Sequence, residues 1–221
     1  MKVSIVIPAK GSSTRVRNKN LYDIGGRTLI RRACEKVLNC QTIHSKYLDT
    51  EDSGIKMDCS DLQSRGLKVL NRPKELATNN VGANELMAFA LHSIDHCDLL
   101  LETFATTPLI TSETIDYCVN YFLDNRDGHD SFFTVSKMQE YFWKKDGPVN
   151  FDPKVLPNSF ELEPYLMETH GLYGILPEVF LRCKTRIGRK PMMIEIPKIE
   201  AFDIDTAEDL DIVERLILSG E

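Results

Sequence analysis

The segment near the start of the chain that best indicates the fold reads Val3-Ser4-Ile5-Val6-Ile7-Pro8-Ala9-Lys10-Gly11-Ser12-Ser13-Thr14-Arg15-Val16-Arg17-Asn18-Lys19-Asn20. Its first five residues form a β-rich apolar run, which is typical of a strand buried on both faces of a parallel sheet. The polar remainder predicts a loop, and apolar residues at helical spacing follow in residues 28–38. A buried strand, a polar loop and a helix in this order predict the first unit of an α/β fold.

The rest of the chain repeats the alternation of strand and helix. Further strands are predicted near residues 47–48 and at 67–70, 98–102, 131–136, 171–175, 193–196 and 201–204. Helices are predicted around 55–62 and at 84–94, 112–125, 177–183 and from Thr206 onward, with Gly66 as a helix stop. This alternation is the signature of a doubly wound α/β sheet. We therefore predict a single α/β domain that spans residues 1–221.

Residues 137–165 interrupt this pattern. They contain several prolines and glycines together with the aromatic residues Tyr141, Phe142 and Trp143. A loop of this length inside a compact domain is usually functional or serves as an interaction arm.

Composition narrows the classes of function. The 221 residues carry a formal charge of −6, which argues against nucleic acid or an anionic membrane as a partner. No apolar run is long enough to span a membrane, and the first apolar stretch is too short for a signal peptide, so we expect a cytoplasmic protein. The six cysteines include no Cys-x-x-Cys pair, which favours reduced, buried thiols over a zinc site.

The loop after the first predicted strand has the composition of a phosphate site. Four cations, Lys10, Arg15, Arg17 and Lys19, fall within ten residues that also hold glycine and small hydroxyl residues. Ligands of open α/β sheets bind at the carboxyl ends of the strands, where small residues let backbone N–H groups approach phosphate oxygens. The loop matches neither G-x-G-x-x-G nor a Walker A sequence. A solvated basic loop is the alternative interpretation.

A second chemical feature lies near the C-terminus, where Asp203 and Asp205 end a predicted strand. Because side chains alternate along a strand, both carboxylates are expected on one face. Paired carboxylates beside a phosphate site suit Mg²⁺. The alternative is an acidic strand end and helix cap, but the basic loop and the acidic pair together favour metal-assisted phosphoryl chemistry.

Four motifs in this order resemble the acylneuraminate cytidylyltransferase family. The family opening I-P-A-R-G-G-S-K-R-x-x-x-K-N is similar to residues 7–20, and its S-T-D-D element is similar to Asp49-Thr50-Glu51-Asp52. Its R-P-x-E-L-A-T-D element is similar to residues 72–79, and its D-I-D-T-x-E-D-L element to residues 203–210. The resemblance extends over nearly the whole chain.

The resemblance implies a Rossmann-like nucleotidyltransferase domain with a mostly parallel sheet, which forms a homodimer through an arm within residues 137–170. It implies CTP as co-substrate, Mg²⁺ as cofactor and a small acidic sugar as acceptor. Asp203 and Asp205 would hold the metal. The residues implied in catalysis are Lys10, Arg15, Lys19 and Asp205, and those implied in nucleotide binding are Ala9, Lys10, Gly11, Ser12, Asn20, Arg72, Thr78 and Asn79.

Departures from the family pattern fall mostly on the acceptor side. Phe104-Ala105-Thr106-Thr107-Pro108 stands where the family reads Q-P-T-S-P, and Glu168-Thr169-His170-Gly171 stands where it reads R-x-N-G. Phe104, Thr106, Glu168 and His170 are therefore the candidate acceptor residues. A nonulosonate acid is the expected acceptor. A phosphonate or a sugar or polyol phosphate remains open, as does a catalytically inactive binding protein.

Overall fold

The computed structural model describes residues 1–13 and 16–220. The strands in these residues are β1 Val3–Pro8, β2 Asp23–Ile24, β3 Arg27–Thr28, β4 Ser45–Thr50, β5 Leu67–Asn71, β6 Leu99–Thr103, β7 Ser131–Met138, β8 Trp143–Lys144, β9 Gly147–Pro148, β10 Tyr165–Ile175 and β11 Pro191–Glu195. The α-helices are α1 Leu29–Asn39, α2 Ser53–Asp58, α3 Ala83–Ser93, α4 Ser112–Asn125, α5 Pro177–Cys183 and α6 Ala207–Gly220.

Seven of these strands form one sheet in the order β11-β7-β10-β6-β1-β4-β5. Its neighbouring strands are parallel except around β10, which runs antiparallel to both β6 and β7. The predicted α/β class with a mostly parallel sheet is confirmed.

The central strand β1 shows why its apolar run has no polar face. Ile5 and Ile7 belong to a core that includes residues of α1, α4 and α6, whereas Val6 belongs to a second core with residues of α3 and α5. Both faces of β1 are thus covered by helices, as the unbroken apolar run predicts.

Local signals set several element boundaries. Thr28 caps α1 by accepting a hydrogen bond from the backbone N–H of Arg31. Gly66 ends the 3-10 helix Ser60–Arg65 at φ +101°, in the left-handed region where glycine carries no Cβ penalty. At α6 the predicted capping pair is present, since Asp209 Oδ2 accepts from the backbone N–H of Thr206 at 2.7 Å.

One predicted strand is wrong. Residues 201–204 follow a 3-10 helix, Lys198–Ala201, and have no ladder partner in the described part of the chain. Ile204 is buried and its backbone N–H donates to the carbonyl of Thr106 at 2.8 Å, which ties the segment to the loop after β6 rather than to a sheet edge. A single apolar residue between polar ones is compatible with a buried loop segment of this kind as well as with a strand.

The irregular segment is shorter than predicted, because β7 continues to Met138 and β10 begins at Tyr165. Between them lie the hairpin of β8 and β9 and a 3-10 helix, Ser159–Glu161. Trp143 and Phe160 are 63% and 73% exposed. The role of this segment in dimerisation stays a prediction.

Two further findings concern the thiols and the helices. All six cysteines are free, and five of them are buried. Among the described residues, no helix has the length and apolar character needed to cross a membrane.

Candidate active site

The parallel strands β1, β4, β5 and β6 direct their carboxyl ends to one edge of the sheet. Their register places Pro8 beside Asp49, Thr50 beside Asn71 and Val6 beside Glu102. The loops that follow these strands meet at this edge, which is the expected ligand side of an open α/β sheet.

The loop after β1 is held close to the loop after β4. The backbone N–H of Gly11 donates to Glu51 Oε1 at 2.8 Å, and Asn20 Nδ2 donates to the carbonyl of Lys10 at 2.9 Å. A Cβ added to Gly11 would lie 2.2 Å from Asp52 Oδ2, so the approach of these loops requires glycine.

Arg15 lies outside the described residues. Ala9 is buried, and its N–H donates to the carbonyl of Asp49 at 2.9 Å.

The segment after β5 is anchored by a buried ion pair. Arg72 donates to Asp49 Oδ1 at 3.0 Å, to Asp49 Oδ2 at 2.7 Å and to the carbonyl of Asp49 at 2.9 Å. Both side chains are almost wholly buried. The guanidinium therefore fixes residues 72–80 against β4, a role that the sequence motif alone did not indicate.

A cavity of about 250 Å³ opens between these loops. Lys10, which lines the cavity, donates from Nζ to Asn79 Oδ1, and this hydrogen bond joins the first loop to the segment after β5. The cavity brings together most of the predicted nucleotide residues and two of the predicted acceptor residues. Those that line it are Lys10, Ser12, Lys19, Asn20, Arg72, Thr78, Phe104 and Thr106.

The acidic pair is connected to residues that line this cavity. Lys19, which is buried, donates from Nζ to the carbonyl of Ile204, between the two aspartates. Burial raises the pKa of Asp203, but hydrogen bonds from His170 and Thr106 outweigh it, so the pKa lies below the usual value. The hydrogen bond to Asp203 raises the pKa of His170. Asp203 is thus an ionised carboxylate beside the basic loop.

A second cavity, of about 470 Å³, contains both members of the acidic pair. Its other walls include Glu168 and His170 together with apolar side chains and Lys198. The predicted acceptor residues are therefore divided, since Phe104 and Thr106 line the first cavity and Glu168 and His170 line the second.

Glu168 and His170 lie on β10 and line the second cavity, and the register of β10 shifts between Glu168 and Tyr173. His170 adopts φ +55°, which a non-glycine residue rarely does. Thr169 between them is buried and exchanges a hydrogen bond with Thr134 at 2.7 Å. Glu168, Thr169 and His170 all line the second cavity.

The sequence interpretation missed two charged residues here. Glu102 is buried at the end of β6, where burial raises its pKa to about 7 against the opposing effect of Arg186. Arg186 lies in the loop between α5 and β11 and places Nη1 at 3.1 Å from Glu102 Oε2. A glutamate at the end of the apolar run Leu99–Leu101 was a usable signal, but nothing in the sequence marked Arg186.

The donor set around Asp203 fits magnesium better than zinc. Oδ1 of Asp203 is buried and has no hydrogen-bond partner in the described residues, and Asp205 lines the same cavity. Residues 1–13 and 16–220 contain no group of three or more His, Cys, Asp or Glu side chains suited to a metal. Mg²⁺ typically binds one or two carboxylates and completes its shell with phosphate oxygens and water.

Fold and site together define an α/β domain of the nucleotide-binding class, with a basic loop and paired carboxylates at the carboxyl edge of its sheet. The chain belongs to the cytidylyltransferase family, because the family model described as Cytidylyltransferase matches residues 4–217. The family resemblance drawn from the sequence is thereby confirmed.

Solved structures show the same fold. A CMP:2-keto-3-deoxy-manno-octonic acid synthetase complexed with CTP superposes with a TM-score of 0.71 over 100% of both chains, at 17% identity. A 4-diphosphocytidyl-2C-methyl-D-erythritol synthase from Anaerococcus prevotii superposes with a TM-score of 0.67 over 98% of both chains, at 14% identity.

Curated relatives carry related names. A 3-deoxy-manno-octulosonate cytidylyltransferase of Chloroherpeton thalassium is 34% identical over 125 residues, which is 57% of this chain and 48% of the relative. N-acylneuraminate cytidylyltransferase A of Danio rerio is 22% identical over 98% of this chain and 51% of the relative. An 8-amino-3,8-dideoxy-manno-octulosonate cytidylyltransferase of Shewanella frigidimarina is 30% identical over 55% of this chain and 48% of the relative. The chain thus spans about half the length of these relatives.

Proposed function

We propose that this chain transfers CMP from CTP to a small acidic sugar and releases pyrophosphate. Membership of the cytidylyltransferase family supports the use of CTP. The observation that carries the proposal is the junction of the two cavities. There Lys19 of the basic loop donates to the carbonyl of Ile204, next to Asp203, and Thr106 of the first cavity is hydrogen-bonded to Asp203 of the second. Nucleotide phosphates in the first cavity would meet an acceptor in the second cavity at this junction.

In this proposal the first loop neutralises the triphosphate. Lys10 and Lys19, with Arg15 beyond the described residues, reduce the negative charge that would repel an incoming oxygen. Asp203 and Asp205 would hold Mg²⁺, which supplies further charge neutralisation at the phosphates when bound. The segment fixed by Arg72 encloses the nucleotide and excludes water.

The reaction forms one P–O bond, breaks another and releases a proton. A hydroxyl oxygen of the acceptor attacks the α-phosphorus of CTP, the bond to the bridging oxygen of pyrophosphate breaks, and the hydroxyl proton passes to solvent. The residues contribute positioning and electrostatic stabilisation rather than a covalent intermediate.

We also propose that the chain forms a homodimer through the segment between β7 and β10. Trp143 and Phe160 in this segment and Leu166 at the start of β10 are exposed apolar side chains. Exposed apolar side chains that form a patch often mark an interface. Light scattering after size-exclusion chromatography tests this, and Phe160→Ser together with Leu166→Ser is expected to yield monomer.

The test of the function follows pyrophosphate release from CTP and Mg²⁺ with a panel of acceptors. The panel holds 3-deoxy-manno-octulosonate, its 8-amino-3,8-dideoxy analogue, N-acetylneuraminate, a phosphonate and a polyol phosphate. Asp205→Ala is expected to lower the rate on the order of a hundredfold or more. Asp211→Ala, an exposed aspartate on α6, is the matched control.

The possible results separate the alternatives. Release with a sugar acid supports the proposal, and release only with a phosphonate or polyol phosphate replaces the acceptor class. No release and no binding of CTP in calorimetry would favour an inactive binding protein.

A further inference from the structure

The carboxylate of Glu168 is held in a fixed orientation at the wall of the second cavity. The hydroxyl of Tyr173 donates to Glu168 Oε1, and Arg186 Nη2 lies 3.7 Å from the same oxygen. The side chain of Glu168 nevertheless remains 35% exposed, and it lines the cavity. Glu168 is thus a pre-oriented acceptor of hydrogen bonds that still faces space for a ligand.

Arg186 is itself fixed, so it can hold Glu168 without moving toward a ligand. Its guanidinium lies 3.7 Å from the centre of the Tyr173 ring and 3.1 Å from the buried Glu102. Its backbone N–H donates to Asn84 Oδ1 at 2.9 Å. Only 17% of the side chain is exposed, and it is not among the residues that line either cavity. Arg186 is therefore a positioning residue.

The charges around Glu168 decide what it can bind. Arg186 is shared with Glu102, and His170 is shared between Glu168 at 3.8 Å and Asp203 at 3.5 Å. Neither side chain is left to attract an acid group of the ligand at this wall. A carboxylate beside Glu168 would be repelled, whereas a group that donates hydrogen bonds, and above all a cationic one, would be attracted.

We propose that Glu168 is a specificity-determining residue that binds an ammonium group of the acceptor, so that the preferred substrate is an amino-substituted sugar acid. The acid group of that substrate would lie away from Glu168, and Lys198 is a cation in the lining of the same cavity. This inference rests on the proposed cytidylyl transfer and refines its acceptor class.

Two sugars that differ in one group test it. In 8-amino-3,8-dideoxy-manno-octulosonate an amino group replaces the 8-hydroxyl of 3-deoxy-manno-octulosonate, so the pair differs by a cation at neutral pH. With CTP and Mg²⁺, the native protein is expected to use the amino sugar with a kcat/KM about tenfold higher, because hydrogen bonds between charged groups are stronger than neutral ones.

Glu168→Gln keeps the shape of the side chain and removes its charge, so it should abolish this preference by raising KM for the amino sugar while KM for CTP is unchanged. Arg186→Lys should reduce the preference in part, since lysine keeps the charge but loses the planar fork that orients Glu168. Glu195→Gln, an exposed glutamate on β11, is the matched control and should behave as native protein.

Each other outcome overturns the inference. Equal use of both sugars, preference for the hydroxyl sugar, or an equal loss with both sugars in Glu168→Gln would make Glu168 a structural residue. Turnover of neither sugar with CTP binding intact would reject the amino sugar acid as acceptor. Absence of CTP binding would instead reject the proposed function.

Discussion

Replacing Arg72 by methionine would leave the carboxylate of Asp49 buried without its cation. The structure shows three hydrogen bonds between the two residues, at 2.7–3.0 Å, and side chains that are 2% and 0% exposed. Breaking a buried ion pair by removing one partner typically costs about 3–5 kcal/mol. We therefore expect Arg72→Met to lower the free energy of unfolding by about 3–5 kcal/mol.

The second part of this prediction concerns the removal of both partners of the ion pair between Asp49 and Arg72. Asp49→Leu combined with Arg72→Met removes both charges, and replacing a buried pair by apolar residues is often neutral. The double variant should recover most of the lost stability. Urea unfolding measures both effects, since a shift of the midpoint at constant m reports stability alone.

Arg65→Met serves as the control, because Arg65 is exposed and makes one long hydrogen bond to Asn39 at 3.3 Å. It should change stability by less than about 0.5 kcal/mol. An Arg72→Met variant whose stability lies within about 1 kcal/mol of the native protein would show that the ion pair does not stabilise the fold in this way. If the double variant is stable and still binds CTP, Arg72 acts by holding residues 72–80 against β4 and not by contacting the nucleotide.

Three further perturbations have defined expected results. Gly11→Ala forces a Cβ to 2.2 Å from Asp52 Oδ2, so affinity for CTP in calorimetry should fall about tenfold or more as the loop is displaced. Burial raises the pKa of Glu102 from 4.5 to about 7. Because the folded state then holds a proton that the unfolded state has lost, the free energy of unfolding should fall by about 3 kcal/mol as the pH rises from 4.5 to 7, relative to Glu102→Gln. Burial lowers the pKa of Lys36, which donates to the carbonyl of Thr107 at 3.0 Å, from 10.5 to about 7. Native stability should therefore rise from pH 7 to pH 10 relative to Lys36→Met, since the unfolded state binds the additional proton.

Each of these has its own control or contradicting outcome. Gly220→Ala adds a Cβ that meets nothing within 4 Å and should leave CTP binding unchanged. For the two titrations, urea midpoints are compared at matched pH values. Parallel pH profiles of native and variant protein would show that the group has the same pKa in the folded and unfolded states.

Local patterns in the sequence predicted most of the fold. The apolar run of β1, the 3.6-residue spacing of α1 and the cap at Thr206 are short-range signals that act within one element. Residues 112–125 and 177–183 coincide with α4 and α5. The strand predicted at residues 201–204 was wrong, because a buried loop segment can show the same pattern of an apolar residue between polar ones as a strand does.

The candidate site was only partly predictable for a different reason. Motif residues such as Lys10, Lys19 and Asp203 stand next to recognisable sequence patterns, whereas Arg186 is joined to Glu102 and Glu168 only by tertiary contacts. Such pairings depend on which strand ends meet across the sheet. The sequence also gave no sign that the predicted acceptor residues would divide between two cavities.

Following each phosphorus atom of CTP tests directly whether the protein transfers CMP to a sugar acid. The protein is incubated with Mg²⁺, the acceptor panel and CTP labelled at either the α- or the γ-phosphorus, and the products are separated and identified by mass spectrometry. We expect the α label to join the sugar acid as a CMP conjugate and the γ label to leave only in pyrophosphate. Transfer of the γ label to the acceptor, or release of pyrophosphate without a labelled conjugate, would contradict this expectation.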